Sequence, residues 1–99
     1  MNLDDVIQIL ESRPGMITIN RSLFEAELFI NGFLFSRACD EILDKNEVRF
    51  QDEFSNWIRD KYDCNIQSSW GRIIMFYEGG EEVALKKFLK MYREFFGVI

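Results

Sequence analysis

Histidine is absent from this 99-residue chain, and proline occurs once. Without histidine there is no Ser–His–Asp or Cys–His relay, and the commonest general base and metal ligand is missing. The two cysteines, Cys39 and Cys64, cannot complete a zinc site by themselves. Cys39 lies in an apolar, helical context and reads as a reduced, buried thiol. No apolar run reaches the ~18–20 residues a membrane span needs. The first residues, Met1-Asn2-Leu3-Asp4-Asp5, are acidic, unlike a signal or transit peptide, so the expected location is the cytosol, with no membrane partner. Basic residues are outnumbered 12 to 17, and the net charge of −5 argues against a nucleic-acid partner, which needs clustered Lys and Arg to neutralise phosphates. No cofactor and no metal is expected, and the chain does not read as an enzyme.

What the chain has in quantity is aromatic and aliphatic surface. Ten Phe, two Trp and three Tyr within 47% hydrophobic residues suffice for a packed core, since each buried large side chain contributes about 1.5–3 kcal/mol. Leu3, Val6, Ile7 and Leu10 form one helical stripe, which Pro14 ends. Ser22-Leu23-Phe24-Glu25 matches a capping box and predicts a long helix over residues 23 to 44. Its middle, from Leu28 to Phe35, is apolar nearly all round, which predicts a helix wrapped by others. Gly32 within it either permits a close helix crossing or is simply tolerated. Lys45-Asn46-Glu47 reads as a loop. Phe50, Phe54, Trp57 and Ile58 then give the cleanest amphipathic signal, on a helix reaching about Tyr62. Ser68 or Ser69 caps a segment bearing Trp70, Ile73, Ile74 and Tyr77. Residues 70 to 77 fit either a helix or a strand, and helix is preferred because no partner strand is evident. Gly79-Gly80 ends it, and Glu81 and Glu82 open a last helix with Leu85, Phe88, Leu89, Tyr92, Phe95 and Phe96 on one face. The expected fold is a single all-α domain, a bundle of about five helices.

Arg13-Pro14-Gly15-Met16 stands apart from this pattern. A similar Arg-Pro-Gly-Met opens the ATPase domain of the DNA gyrase B subunit. Aligned with that domain, this chain puts Phe33 where a catalytic glutamate belongs and Arg37 where a metal-binding asparagine belongs. A phenyl ring cannot activate water and a guanidinium repels magnesium, so the ATPase reading fails. Pro14 and Gly15 read instead as a corner between two helices, with Met16 and Ile17 tucked under it and Arg13 free to bind a carboxylate at the adjacent helix end.

Across nearly its whole length the chain resembles a group of small bacterial immunity proteins of toxin systems, including contact-dependent growth inhibition. The resemblance rests on Arg13-Pro14-Gly15-Met16, Ser22-Leu23, Phe29-Ile30-Asn31-Gly32-Phe33, Phe54 with Trp57-Ile58, Lys61-Tyr62, Ser69-Trp70, Ile73-Ile74 and Phe95-Phe96. Ile17-Thr18-Ile19 departs from the group, which often has Tyr-Ile/Leu-Gly there. The resemblance implies a protein that binds a cognate toxin domain, nuclease toxins being usually basic, and blocks it. An acidic inhibitor would be steered onto a basic cleft. The candidate contacts are Asp40, Glu41, Asp44, Glu47, Asp52 and Glu53, six carboxylates within fourteen residues. Composition alone favours a solvated helix face and loop for the same residues. Tyr62 and Trp70 are candidate aromatic anchors if exposed and core residues otherwise. Two other readings remain open at this level. One is a carboxylate-based or metal-dependent enzyme, in which Asp40 and Asp44 share a helix face. The other is a structural subunit that self-associates through surplus aromatic surface.

Overall fold

The computed structural model describes residues 1–97. Among these, five α-helices form the bundle: α1 (Leu3–Ser12), α2 (Leu23–Cys39), α3 (Lys45–Tyr62), α4 (Trp70–Glu78) and α5 (Glu81–Phe95), with a single 3₁₀ turn, Pro14–Met16, after α1. No strand occurs among the described residues, and residues 70 to 77 lie in a helix. Ser69 caps α4 by accepting from the Arg72 N–H, and Gly79 closes it at φ +80°, a conformation glycine adopts without strain.

Every helix contributes to one apolar core. Phe54 of α3, fully buried, is its centre: the rings of Phe50, Phe95, Trp70, Phe88 and Trp57 lie 4.6, 5.3, 5.6, 5.8 and 5.9 Å from it, several edge-on. Such pairs add about 0.5–1.5 kcal/mol each beyond the area they bury. The periodic apolar faces read from the sequence in α1, α3 and α5 are the buried faces. Arg93 clamps α5 to α1, donating to Asp4 at 2.6 Å and to both oxygens of Glu11 at 2.8 and 3.1 Å.

Three expectations are corrected. The long helix ends at Cys39, because Glu41 takes a left-handed φ of +57° that a helix cannot continue through. Lys45-Asn46-Glu47 is the first turn of α3, opened by a capping box in which Asp44 accepts from the Glu47 N–H and Glu47 accepts from the Asp44 N–H. The Glu25 carboxylate makes no reciprocal box with Ser22; it turns away to take the Ile19 and Asn20 N–H groups at 3.3 and 2.9 Å. The Ser22 hydroxyl does cap α2, and it also donates to Glu81, whose carboxylate takes the Phe24 N–H at 3.1 Å. An acid at the start of α5 thus caps the start of α2.

The Arg13–Met16 stretch is the corner expected, closed by Thr18, whose N–H and hydroxyl both donate to the Pro14 carbonyl. The residue tucked beneath is Thr18 itself, 2% exposed, while Met16 stands 67% exposed and Ile17 is half-buried. Arg13 makes no side-chain hydrogen bond or ion pair among the described residues; Glu11, the nearby carboxylate at the end of α1, is taken by Arg93.

Candidate protein-interaction surface

The six acidic residues singled out in the sequence separate into inward and outward groups. Glu47 is fully buried. Its carboxylate accepts from the Leu3 N–H at 2.8 Å, capping α1, and from the Asp44 N–H at 2.9 Å. It also pairs with the Arg37 guanidinium at 2.9 Å. Arg37 is held in turn by the Met1 and Ile42 carbonyls. Glu47 therefore cannot touch a partner; it joins the starts of α1 and α3 to the end of α2. Asp44 is half-buried and spent on its own helix cap. Asp40 and Asp44 share no helix face, because α2 ends at Cys39 and both lie in the link before α3 begins at Lys45, which removes the shared face expected of that carboxylate pair.

Asp40, Glu41, Asp52 and Glu53 are exposed. Asp40 and Glu41 sit at the C-terminal end of α2. Asp52 and Glu53 lie on α3, Asp52 about 10 Å along the helix from Lys45 at 1.5 Å per residue. Glu53 faces Arg49 at 3.8 Å, one turn before it. Arg49 also lies over the Phe95 ring at 4.5 Å. Asp40, Glu41 and Asp52 have no ion pair among the described residues.

The larger feature is one that periodicity did not single out. α2 packs on α1, α4 and α5, and this leaves one of its faces to solvent. Phe24, Leu28 and Phe35, at i, i+4 and i+11, stand 55%, 58% and 70% exposed in one stripe. Phe76 of α4, 70% exposed, joins Phe24 across a groove of about 340 Å³ floored by Gly71 and Met75. Gly32 lies on the same open side, and a Cβ there would meet nothing within 4 Å, so no internal helix crosses it. The expectation of a fully wrapped α2 is thereby corrected: four other helices cannot cover a helix that is apolar on all sides. That surplus was the available sequence signal.

A second groove, about 370 Å³, runs between α2, α3 and the start of α4, with Asn31 on one wall and Gln51 and Ser55 on the other. The Glu27 carboxylate lines both grooves. It accepts from the Gly71 N–H at 3.0 Å and more loosely from the Ser69 hydroxyl at 3.4 Å, so that α2 caps α4. A Cβ on Gly71 would fall 2.4–2.8 Å from that carboxylate, so any other residue there requires the Glu27 side chain to move.

Neither aromatic anchor named from the sequence lies in the exposed apolar stripe of α2. Trp70 is core, 6% exposed and stacked on Phe88 at 4.6 Å. Tyr62 is half-buried and stacks on Tyr77, with its hydroxyl donating to Glu78 at 2.8 Å. Burial, then that carboxylate, push the Tyr62 phenol above its ordinary range. Cys39, expected to be buried, is exposed on α2, and Cys64 is half-buried; both are free thiols. Among the described residues no three His, Cys, Asp or Glu side chains converge to hold a metal ion. No helix among them is long and apolar enough to cross a membrane. Comparison of the chain with protein-family models, curated proteins and solved structures finds no match.

Proposed function

We propose that this protein is an immunity protein that binds a cognate bacterial toxin domain and neutralises it by covering its active site or substrate cleft. The observation that carries the reading is the solvent-facing stripe of Phe24, Leu28 and Phe35, with Phe76 across a groove from Phe24 and the exposed carboxylates Asp40 and Glu41 just past the C-terminal end of α2. Large exposed apolar patches on small domains mark interaction sites, and aromatic side chains in such patches supply most of the binding energy. The unpaired carboxylates Asp40, Glu41 and Asp52, together with the net charge of −5, suit a basic partner. Charge complementarity would raise the association rate and orient the encounter, while the aromatic stripe would set the lifetime of the complex. Inhibition of this kind needs no chemistry from the inhibitor; it occludes. The resemblance of the sequence to small immunity proteins also supports the reading.

Co-expression of the tagged chain with its neighbouring genes tests the reading. A stoichiometric basic domain should co-purify, be toxic when expressed alone, and be harmless with the chain present. Phe35→Asp should abolish co-purification while leaving the helical circular dichroism signal unchanged. Asp40→Lys with Glu41→Lys should slow association and weaken its salt dependence. A chain that sediments as a dimer, captures no partner and protects no cell would reassign the stripe to self-association and end the immunity reading.

A further inference from the structure

Glu27 is a buried carboxylate without a cation. It is 8% exposed, and no Lys or Arg among the described residues lies within ion-pair distance of it. Ionised carboxylates are rarely left so: burying a charge costs several kcal/mol unless it is paired and hydrogen-bonded. Its Oε2 takes the Gly71 N–H. Its Oε1 has only the Ser69 hydroxyl at 3.4 Å among the described residues, although an ionised carboxylate offers about four acceptor sites. Ser69 and Glu27 both line the groove between α2, α3 and α4.

The rest of that groove is polar and aromatic. Asn31, Gln51 and Ser55 line it from two helices with amide and hydroxyl groups that can accept as well as donate, and Phe50 and Trp70 line it with aromatic surface. At about 370 Å³ it is at the small end of ligand sites, with room for one large side chain but not for a large cofactor. A single carboxylate is a poor site for a divalent cation, which needs several anionic oxygens. A compact ammonium uses few of the surrounding acceptors. A guanidinium is planar and weakly hydrated, has five donors spread around its edge, and packs well on aromatic surface.

We propose that this groove is a guanidinium pocket in which Glu27 is the counter-ion and the side-chain oxygens of Asn31, Gln51 and Ser55 receive the remaining donors. The source is an arginine side chain of the bound protein; that assignment rests on the protein-binding reading above, whereas the pocket does not. The pocket adjoins the Asn31 side of the apolar stripe on α2, so an arginine beside an apolar contact of the partner would reach it.

The test is an amide-detected NMR titration of the whole chain with N-acetyl-arginine amide, with the matching citrulline compound as its neutral counterpart. The arginine probe should shift the Gly71 and Ser69 amides and the Trp70 indole signal saturably, with a dissociation constant on the order of 1 mM. Citrulline should leave them in place. Glu27→Gln keeps an oxygen for the Gly71 N–H, so it should fold, and it should weaken the probe at least about tenfold, as loss of a charge-assisted bond requires. Gln51→Glu, at an exposed position, should tighten it several-fold. No shift with the arginine probe, an equal response to citrulline, or an undiminished response in Glu27→Gln overturns the pocket. Free arginine or agmatine binding about a hundredfold more tightly than the capped amide, close to 2.7 kcal/mol, would overturn the side-chain source and make it a site for a small free guanidino compound. None of these outcomes depends on finding a partner. If a partner is found and Glu27→Gln binds it as well as the parent chain, the pocket fails while the immunity reading stands.

Discussion

Glu47 and Glu27 have much in common and opposite outcomes. Both are helical glutamates in the interior, and both reach across to the N-terminus of another helix, where a carboxylate meets the free N–H groups and the positive end of the dipole. Glu47 is saturated: two backbone N–H groups and the Arg37 guanidinium surround it, and solvent does not reach it. Glu27 has one good donor, one long one, no cation and a groove on either side. The difference teaches that an acidic composition is not one property. Part of it is internal fastening, to which Glu81 on Phe24 also belongs, and part is surface left for something else.

Removing Glu47 breaks the comparison at its strong end and should have the largest effect. Glu47→Ala leaves Arg37 without its counter-ion and two N–H groups without acceptors, a loss of about 3–5 kcal/mol by analogy with other severed buried pairs. A small domain has only about 5–15 kcal/mol in total. Urea denaturation should therefore show a large drop in midpoint, and the melting temperature should fall by more than about 12 °C, since each kcal/mol moves a domain of this size about 4–8 °C. A change within the surface-mutation range would mean that the fastening role is wrong.

Gly71→Ala probes the weaker end. The added Cβ would lie 2.4–2.8 Å from the Glu27 carboxylate, which must withdraw and give up the Gly71 N–H. The expected cost is about 1–3 kcal/mol, as for other overpacked sites. Because alanine is otherwise the better helix former, by about 1 kcal/mol, adding Glu27→Ala to Gly71→Ala should recover much of the loss. A double-mutant cycle by chemical denaturation reads the coupling directly. Additive effects would show that the carboxylate and the glycine are independent.

How far the sequence could be read follows the same division. Helices with one apolar face, such as α3 with Phe50, Phe54 and Ile58, were legible because period and burial coincide. α2 was not, because a helix apolar all round carries no period to say which face is left over; that is decided by α1, α4 and α5 packing on its other sides. Glu47 was misread as part of a loop although Asp44-x-x-Glu47 is a capping-box spacing, and its burial depends on Leu3, 44 residues away. Glu27 gave no local sign at all: its partner Gly71 is equally distant, 44 residues on. Side chains that fasten one helix to the start of another are set by tertiary approach, which neither periodicity nor charge runs encode.

The two sides of α2 set a large effect beside a small one. Leu34 is 3% exposed and its neighbour Phe35 70%. Leu34→Ala should cost about 2–5 kcal/mol, whereas Phe35→Ser should stay within about 0.5 kcal/mol. If Phe35→Ser unfolds the chain, the stripe is core and the interaction surface must be sought elsewhere.

Glu94 supplies the mildest contrast, a carboxylate fastened at the surface. Lys61 of α3 donates to it at 2.6 Å, tying α3 to α5. That hydrogen bond, outweighing the opposing effect of burial, holds the Glu94 carboxyl below its ordinary range, with the Lys61 charge adding to the shift. A carboxyl whose folded pKa lies below its unfolded value stabilises the fold above the unfolded value, and loses that contribution as pH falls through the folded one. The pair should therefore weaken only in acid, below the normal carboxylate range. Lys61 is 41% exposed, so water and salt screen the interaction, and its worth is in the surface range of about 0–1 kcal/mol. Carbon-detected NMR of the Glu94 side chain should show a depressed titration midpoint that returns upward in Lys61→Met. Denaturation midpoints of the parent and Lys61→Met should differ slightly near neutral pH and converge in acid. A difference that persists unchanged at low pH would assign the effect of Lys61 to its ammonium over the Trp57 ring, 5.4 Å from the centroid, rather than to its pairing with Glu94.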